Sequence, residues 1–169
     1  WQWVAGPFAY SGAEDIEEVF GPERDLAAAQ WSLAGRTLPR IPLASPQKLG
    51  SINLEDYLYP PAGVAYCFTQ FSASQSGPAT LLLDCSDSAR VWVNGLPALE
   101  RDASSLDLEN PKSATCELRE GTNWILVKCL KASANLNFRL ALQRDGRPVA
   151  IEPAEGVPQP AAAIRGAAL

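Results

Sequence analysis

The chain has 169 residues with 14 basic and 19 acidic side chains, a formal net charge of −5, and 47% hydrophobic against 20% charged residues. That balance belongs to an ordinary globular domain, and an acidic chain without a basic run excludes phosphate-tracking nucleic-acid binding. Histidine is absent altogether, which excludes Ser-His-Asp and Cys-His catalysis, histidine-ligated metals and histidine pH switches.

Methionine is also absent and the first residue is Trp1, so the chain reads as a processed product or a portion of a longer polypeptide. Trp1 and Trp3 open it as a candidate first strand packed on a sheet. The acidic surplus follows at once. Residues 1–85 hold 4 basic and 9 acidic groups and residues 86–169 hold 10 of each, so the first half carries the whole net charge. Its source is Glu14, Asp15, Glu17, Glu18, Glu23 and Asp25. The pattern predicts a short helix over Ala13–Phe20, with acidic groups suiting its positive N-terminal end, stopped by Gly21-Pro22. Its carboxylates read as a solvated face, with a cation site as the alternative.

From about residue 64 the pattern turns to β. Val64–Ala73 is rich in aromatic and β-branched residues and ends at turn-forming Ser72–Pro78. Ala79–Cys85 is a short apolar run of the kind buried on both faces. Ala89–Val93 alternates, with Val91 and Val93 on one face and Arg90 and Trp92 on the other, and Asn94-Gly95 supplies a type I′ hairpin turn. Ala114, Cys116 and Leu118 oppose Thr115, Glu117 and Arg119. After a turn at Gly121-Thr122-Asn123, Ile125, Val127 and Cys129 oppose Trp124, Leu126 and Lys128. Leu136, Phe138, Leu140 and Leu142 then alternate with polar or small residues until Asp145-Gly146-Arg147-Pro148 closes the strand. Short strands punctuated by turns, with almost no long helical period, predict an all-β, antiparallel β-sandwich over residues 1–150 with a short N-terminal helix or loop region. Residues 151–169, with Pro153, Pro158, Pro160 and Ala161-Ala162-Ala163 and no aromatics, read as a linker or terminal arm. No stretch approaches the ~20 apolar residues of a membrane span, so membrane insertion is not expected.

Cys67, Cys85, Cys116 and Cys129 form no C-x-x-C, and each sits in an apolar or alternating run. They read as buried thiols, although an even count permits two disulfides in an exported chain. A tight hairpin around Gly121 would set Cys116 opposite Ile125 and too far from Cys129 to bridge, an argument that fails if the two strands lie in different sheets.

An ordered series of words stands out: Trp3-Val4-Ala5-Gly6-Pro7-Phe8, Gly21-Pro22-Glu23, Val91-Trp92-Val93-Asn94-Gly95, then Leu118, Gly121, Asn123 and Ile125-Leu126-Val127-Lys128, and Asp145-Gly146-Arg147-Pro148. Over residues 1–150 the chain resembles the galactose-binding-like jelly-roll domains of bacterial secreted multidomain proteins. It is similar, more distantly, to the sugar-binding domain of β-galactosidase-type glycoside hydrolases. The resemblance implies a jelly roll in an extracellular or periplasmic setting. It implies a non-catalytic, carbohydrate-binding-like accessory module whose partners are a glycan and neighbouring domains. Many such domains serve only as structural spacers or protein-interaction modules, and that is the alternative; a small jelly-roll glycosidase is the more remote one. No cofactor is expected. The resemblance allows a structural calcium, for which Asp84, Asp87 and Asp102 or the Glu14–Asp25 cluster are candidates, without EF-hand-like spacing.

Sugars stack their C–H faces on exposed rings and hydrogen-bond through their hydroxyls. Trp92 and Trp124 alternate away from the inferred core, Arg90 and Lys128 lie beside them, and Trp31, Tyr57 and Tyr59 occupy loop-like segments. These seven are the candidate ligand-binding residues, against the reading that loops cover the outer face and bury the rings. A glycosidase would need two carboxylates ~5–10 Å apart. Glu55-Asp56, Asp84, Asp87, Glu117 and Glu120 are available, and they read as solvated surface charge.

Overall fold

The computed structural model describes residues 1–8, 11–43, 49–58, 63–85, 87–102, 111–131 and 137–154. Its strands are β1 (Trp3–Ala5), β2 (Gln30–Leu33), β3 (Arg36–Pro39), β4 (Ile41–Pro42), β5 (Ser51–Asn53), β6 (Gly63–Ala73), β7 (Gly77–Cys85), β8 (Ser88–Val93), β9 (Leu96–Arg101), β10 (Lys112–Leu118), β11 (Gly121–Lys131), β12 (Asn137–Arg144), β13 (Arg147–Pro148) and β14 (Ile151–Pro153), with one short helix α1 (Gly21–Arg24). A seven-stranded sheet runs β4-β1-β6-β11-β8-β9, with β14 on β6. A five-stranded sheet runs β10-β7-β12-β13, with β5 on β12. Among the described residues every pairing is antiparallel. The protein is an all-β, antiparallel sandwich, and no helix is long and apolar enough to cross a membrane.

The inner core follows from period-two alternation. Val4, Cys67, Val91, Val93, Ile125, Val127 and Cys129 of the larger sheet meet Leu81, Leu83, Cys85, Phe138, Leu140 and Leu142 of the smaller one. Trp1 joins them, edge-on to Phe138 at 5.1 Å. The hairpin turns use the expected chemistry: Asn94 and Gly95 have φ of 52° and 85°, and Asp145 and Gly146 have 50° and 73°, the positive pairs of a type I′ turn.

Four details depart from the sequence reading. Ala79–Cys85 is buried on one face only, with Thr80 exposed and Leu82 and Asp84 half-buried; β6 and most of β11 are covered on both faces. The helix over Ala13–Phe20 is a single 3₁₀ turn at Ala13–Ile16, and Gly21-Pro22 opens α1 instead of ending a helix. Proline has no amide to leave unpaired, so the first turn of a helix suits it. β10 and β11 make no hairpin: β10 pairs with β7 in one sheet and β11 with β6 and β8 in the other. Cys116 therefore lies opposite Ala79, unbridged to Cys129, and all four cysteines are buried thiols.

The fourth departure concerns the sandwich's far end. β6 carries β11 along one side; along the other it pairs first with β1 at Tyr66–Phe68 and then with β14 at Phe71–Ala73. The Gln2 side-chain amide donates to the Ala154 carbonyl at 2.9 Å. Residues 151–154 thus belong to the sandwich, and the boundary expected at 150 moves past them. The remainder of the expected arm, with Leu136 and Tyr59, lies outside the described residues.

Candidate functional site

The face of the larger sheet opposite the inner core is where alternation sends Trp92, Trp124 and Lys128. It carries Trp3, Tyr66, Phe68, Leu126 and Leu130 as well, and the early chain covers it. Phe8, Ile16, Phe20, Trp31 and Leu38 pack onto these residues as a second core. Trp3 stacks on Phe68 with centroids 5.1 Å apart, and Phe8 meets Tyr66 edge-on at 5.3 Å. Trp31 lies over Gly21, where a Cβ would fall 2.3 Å from the indole. The indole N–H of Trp31 donates to the Asp25 carbonyl at 2.9 Å. The Arg40 guanidinium rests over Trp3 and Trp31 at 4.9 and 5.7 Å.

This layer removes the predicted stacking platform. Trp92 is 5% exposed, Trp124 7% and Trp31 7%. The tryptophans do point away from the inner core, as alternation requires, but they point into a second one. Tyr57 is half-buried against the inner core, remote from them in the packing. The six candidate residues that are described therefore do not converge on one exposed surface; the seventh, Tyr59, lies outside the described residues.

The polar side chains of this face form a row across β6, β11, β8 and β9: Tyr66 opposite Lys128, Lys128 opposite Arg90, Arg90 opposite Glu100. Lys128 is fully buried. Its ammonium donates to Glu23 at 3.0 Å and to the Glu18 carbonyl, and lies 5.2 Å from the Phe20 ring. Tyr66 donates its hydroxyl to the same Glu23 oxygen. Burial lowers the Lys128 pKa, opposed by Glu23, and burial with the Glu23 charge raises Tyr66 well above its ordinary value. Lys128 is thus a buried counter-ion for Glu23, not the hydroxyl-binding surface group the sequence suggests.

Arg90 sits at the edge of this layer. It binds Glu17 and reaches Glu100 at 3.2 Å. Burial pulls its pKa down, and the bond to Glu17 with the Glu17 and Glu100 charges outweighs that. The same bond to Arg90 holds Glu17 below the ordinary carboxylate value. Beside it opens a cleft of about 140 Å³ where Arg90, Arg101 and Lys112 alternate with Glu17, Glu100 and Asp102. Equal numbers of each charge give that cleft little net field for an ion.

The acidic cluster is likewise divided among separate tasks. Asp15 is buried and accepts from the Ser11 amide and hydroxyl at 2.5 and 2.6 Å and from the Gly12 amide at 3.3 Å. Asp25 accepts from the Ala27 and Ala28 amides. Two of its carboxylates, Asp15 and Glu23, are therefore interior groups and not a solvated face. Among the described residues no group of three or more Asp, Glu or Cys side chains is arranged to hold a metal ion. Glu55, Asp56, Glu117 and Glu120 are all exposed.

Asn94 and Asn123, read from sequence as turn residues, also join the turns. Asn94 donates to Asn123 at 2.8 Å and accepts from the Trp124 amide, while the buried Asn123 amide donates to the Arg119 and Gly121 carbonyls and its oxygen accepts from the Arg119 amide.

No family model matches the chain, and no curated protein matches it. Among solved structures, it is similar to an "anti-sigma factor domain-containing protein" at 13% identity and a TM-score of 0.46, over 80% of this chain and 57% of that one. It is also similar to a β-glucosidase from Kluyveromyces marxianus at 14% identity and a TM-score of 0.43, over 57% of this chain and 13% of that one. The chain thus spans little more than half the length of the first and about an eighth of the second. Both likenesses are distant.

Proposed function

We propose that this domain is a non-catalytic accessory module of a larger, secreted protein, acting as a structural spacer or protein-interaction unit and not through aromatic stacking on sugar. The observation that carries this reading is the burial of every tryptophan: Trp1, Trp3, Trp31, Trp92 and Trp124 all lie in the two cores. One ring on one sugar with a few hydrogen bonds yields only about −4 to −6 kcal/mol, millimolar to high-micromolar affinity, and a covered ring yields none of it. Arg90 and Lys128 are committed to ion pairs with Glu17, Glu100 and Glu23.

The test pairs binding with stability. Calorimetric titration with mono- and oligosaccharides at tens of millimolar is expected to give no heat of binding. Trp92→Ala is expected to cost about 3–5 kcal/mol of folding stability, as a core truncation does. Saturable, salt-insensitive saccharide binding that Trp92→Ala abolishes in a domain of wild-type stability would overturn this reading in favour of a carbohydrate-binding module.

A further inference from the structure

We propose that Lys128 and Glu23 condense to an intramolecular amide bond, which fixes the covering layer covalently to the larger sheet. The Lys128 ammonium stands 3.0 Å from Glu23 Oε1, and the two side chains are 0% and 3% exposed. Glu23 comes from α1 in the cover and Lys128 from β11 in the sheet, 105 positions later. Among the described residues no other carboxylate lies within ion-pair distance of Lys128. Phe20 and Tyr66 flank the ammonium, with ring centroids 5.2 and 5.8 Å away.

Three physical terms favour condensation here. Water favours the charged pair because it solvates both ions, whereas a buried pair has forfeited that solvation and loses two interior charges on forming an amide. The reacting groups are held together by the fold, and well-oriented intramolecular partners act at effective concentrations on the order of 10⁵–10⁸ M. Burial also lowers the Lys128 pKa against the opposing pull of Glu23, which brings the nucleophilic neutral amine within easier reach. The neighbouring pair of Arg90 with Glu17 shares none of this, since Glu17 is largely exposed and a guanidinium is no nucleophile.

The donors around Glu23 identify the oxygen that leaves. Tyr66 donates its hydroxyl to Oε1, and the Phe20 amide reaches the same oxygen at 3.5 Å. One proton passes along the Nζ–Oε1 hydrogen bond, giving a neutral amine and a carboxylic acid. The amine lone pair attacks Cδ, one C–O bond beyond Oε1, and the carbonyl electron pair moves to Oε2. A second proton passes from the nitrogen to Oε1. The Oε2 pair then re-forms the carbonyl, the Cδ–Oε1 bond breaks, and Oε1 departs as water while the Tyr66 hydroxyl stabilises it. Ammonium and carboxylate become amide and water, with no oxidant, cofactor or further reactant. The freshly folded chain holds the ion pair, and the amide accumulates on standing.

The experiment incubates the folded full chain at neutral pH, follows its intact mass after denaturation and maps the product with trypsin. The expected result is a chain one water lighter than its sequence, uncleaved after Lys128, with a branched peptide joining Lys128 to Glu23. Tyr66→Phe keeps the ring and is expected to slow the loss roughly 10²-fold. Lys128→Met is expected to keep its full mass, as is wild-type chain held in denaturant throughout, a control that requires no variant to fold. Wild-type chain that keeps its full mass would overturn the proposal. So would an equal loss of water from the denatured chain or from Lys128→Met, or a loss that maps to a succinimide at Asp145-Gly146.

Discussion

Lys128→Met tests the account of the covered sheet face most directly. Methionine keeps most of the lysine stem, so the packing between Phe20 and Tyr66 changes little. What disappears is the ammonium that stands 3.0 Å from Glu23, whose side chain is 3% exposed. Stranding one member of a buried ion pair costs about 3–5 kcal/mol. The Glu18 carbonyl loses its donor as well, which adds roughly 1 kcal/mol. At about 2–4 °C per kcal/mol for a domain of this size, the Tm falls by about 8–24 °C. The assay is denaturant unfolding followed by tryptophan fluorescence, since the indoles are buried in the native state. Adding Glu23→Gln to Lys128→Met removes the stranded charge and is expected to recover at least half of the loss. A single variant within about 1 kcal/mol of the wild type, or a double variant as unstable as the two single losses added together, would refute the reasoning.

Two further outcomes follow from the same layer and from the sandwich's end. Burial pushes the Asp15 carboxyl up, but the Ser11 hydroxyl and the Ser11 and Gly12 amides outweigh it, so its folded pKa lies below the ordinary value. A lowered carboxyl stabilises the fold above its unfolded pKa of about 4 and loses that contribution as pH falls through the folded pKa. The Tm is expected to be level from neutral pH to about 5 and to fall below about 4, with a shallower fall in Asp15→Asn; an acid limb of unchanged steepness in that variant would count against it. Truncation after Ala154 should leave the thermal unfolding curve in place. Truncation after Val149 removes β14 from β6 and the Gln2–Ala154 bond and should lower the Tm measurably; identical curves for the two would make β14 dispensable.

The β-half of the fold was legible because its signals are local. Asn94-Gly95 and Asp145-Gly146 turn as their dipeptides dictate, and Val91/Val93 against Arg90/Trp92 split between faces as alternation requires. Alternation says which residues share a face; it does not say whether that face meets water. That is why Trp92 and Trp124 read as a platform and proved to be core. The covering elements carry little periodicity: a single 3₁₀ turn, a four-residue helix and the β2–β3 ribbon. A hint was present in β6, where Tyr66, Phe68 and Gln70 occupy the outward positions; two aromatics and an amide there suit a covered face better than a solvated one. Glu23 and Asp15 were hidden for a related reason. In a row of carboxylates nothing local marks which one will find a lysine 105 positions away.

That separation in sequence has a consequence for synthesis. The residues that roof the outer face, from Phe8 to Leu38, leave the ribosome before β6, β8 and β11 exist to receive them. Phe8, Phe20 and Trp31 therefore wait in water until Lys128 and its strand have been made, and only then does Glu23 acquire its counter-charge. A topology closed by such long-range contacts folds slowly and leaves apolar surface open meanwhile. The same early segment carries an excess of five negative charges in the first 85 residues, and like charge on unfolded chains opposes their association.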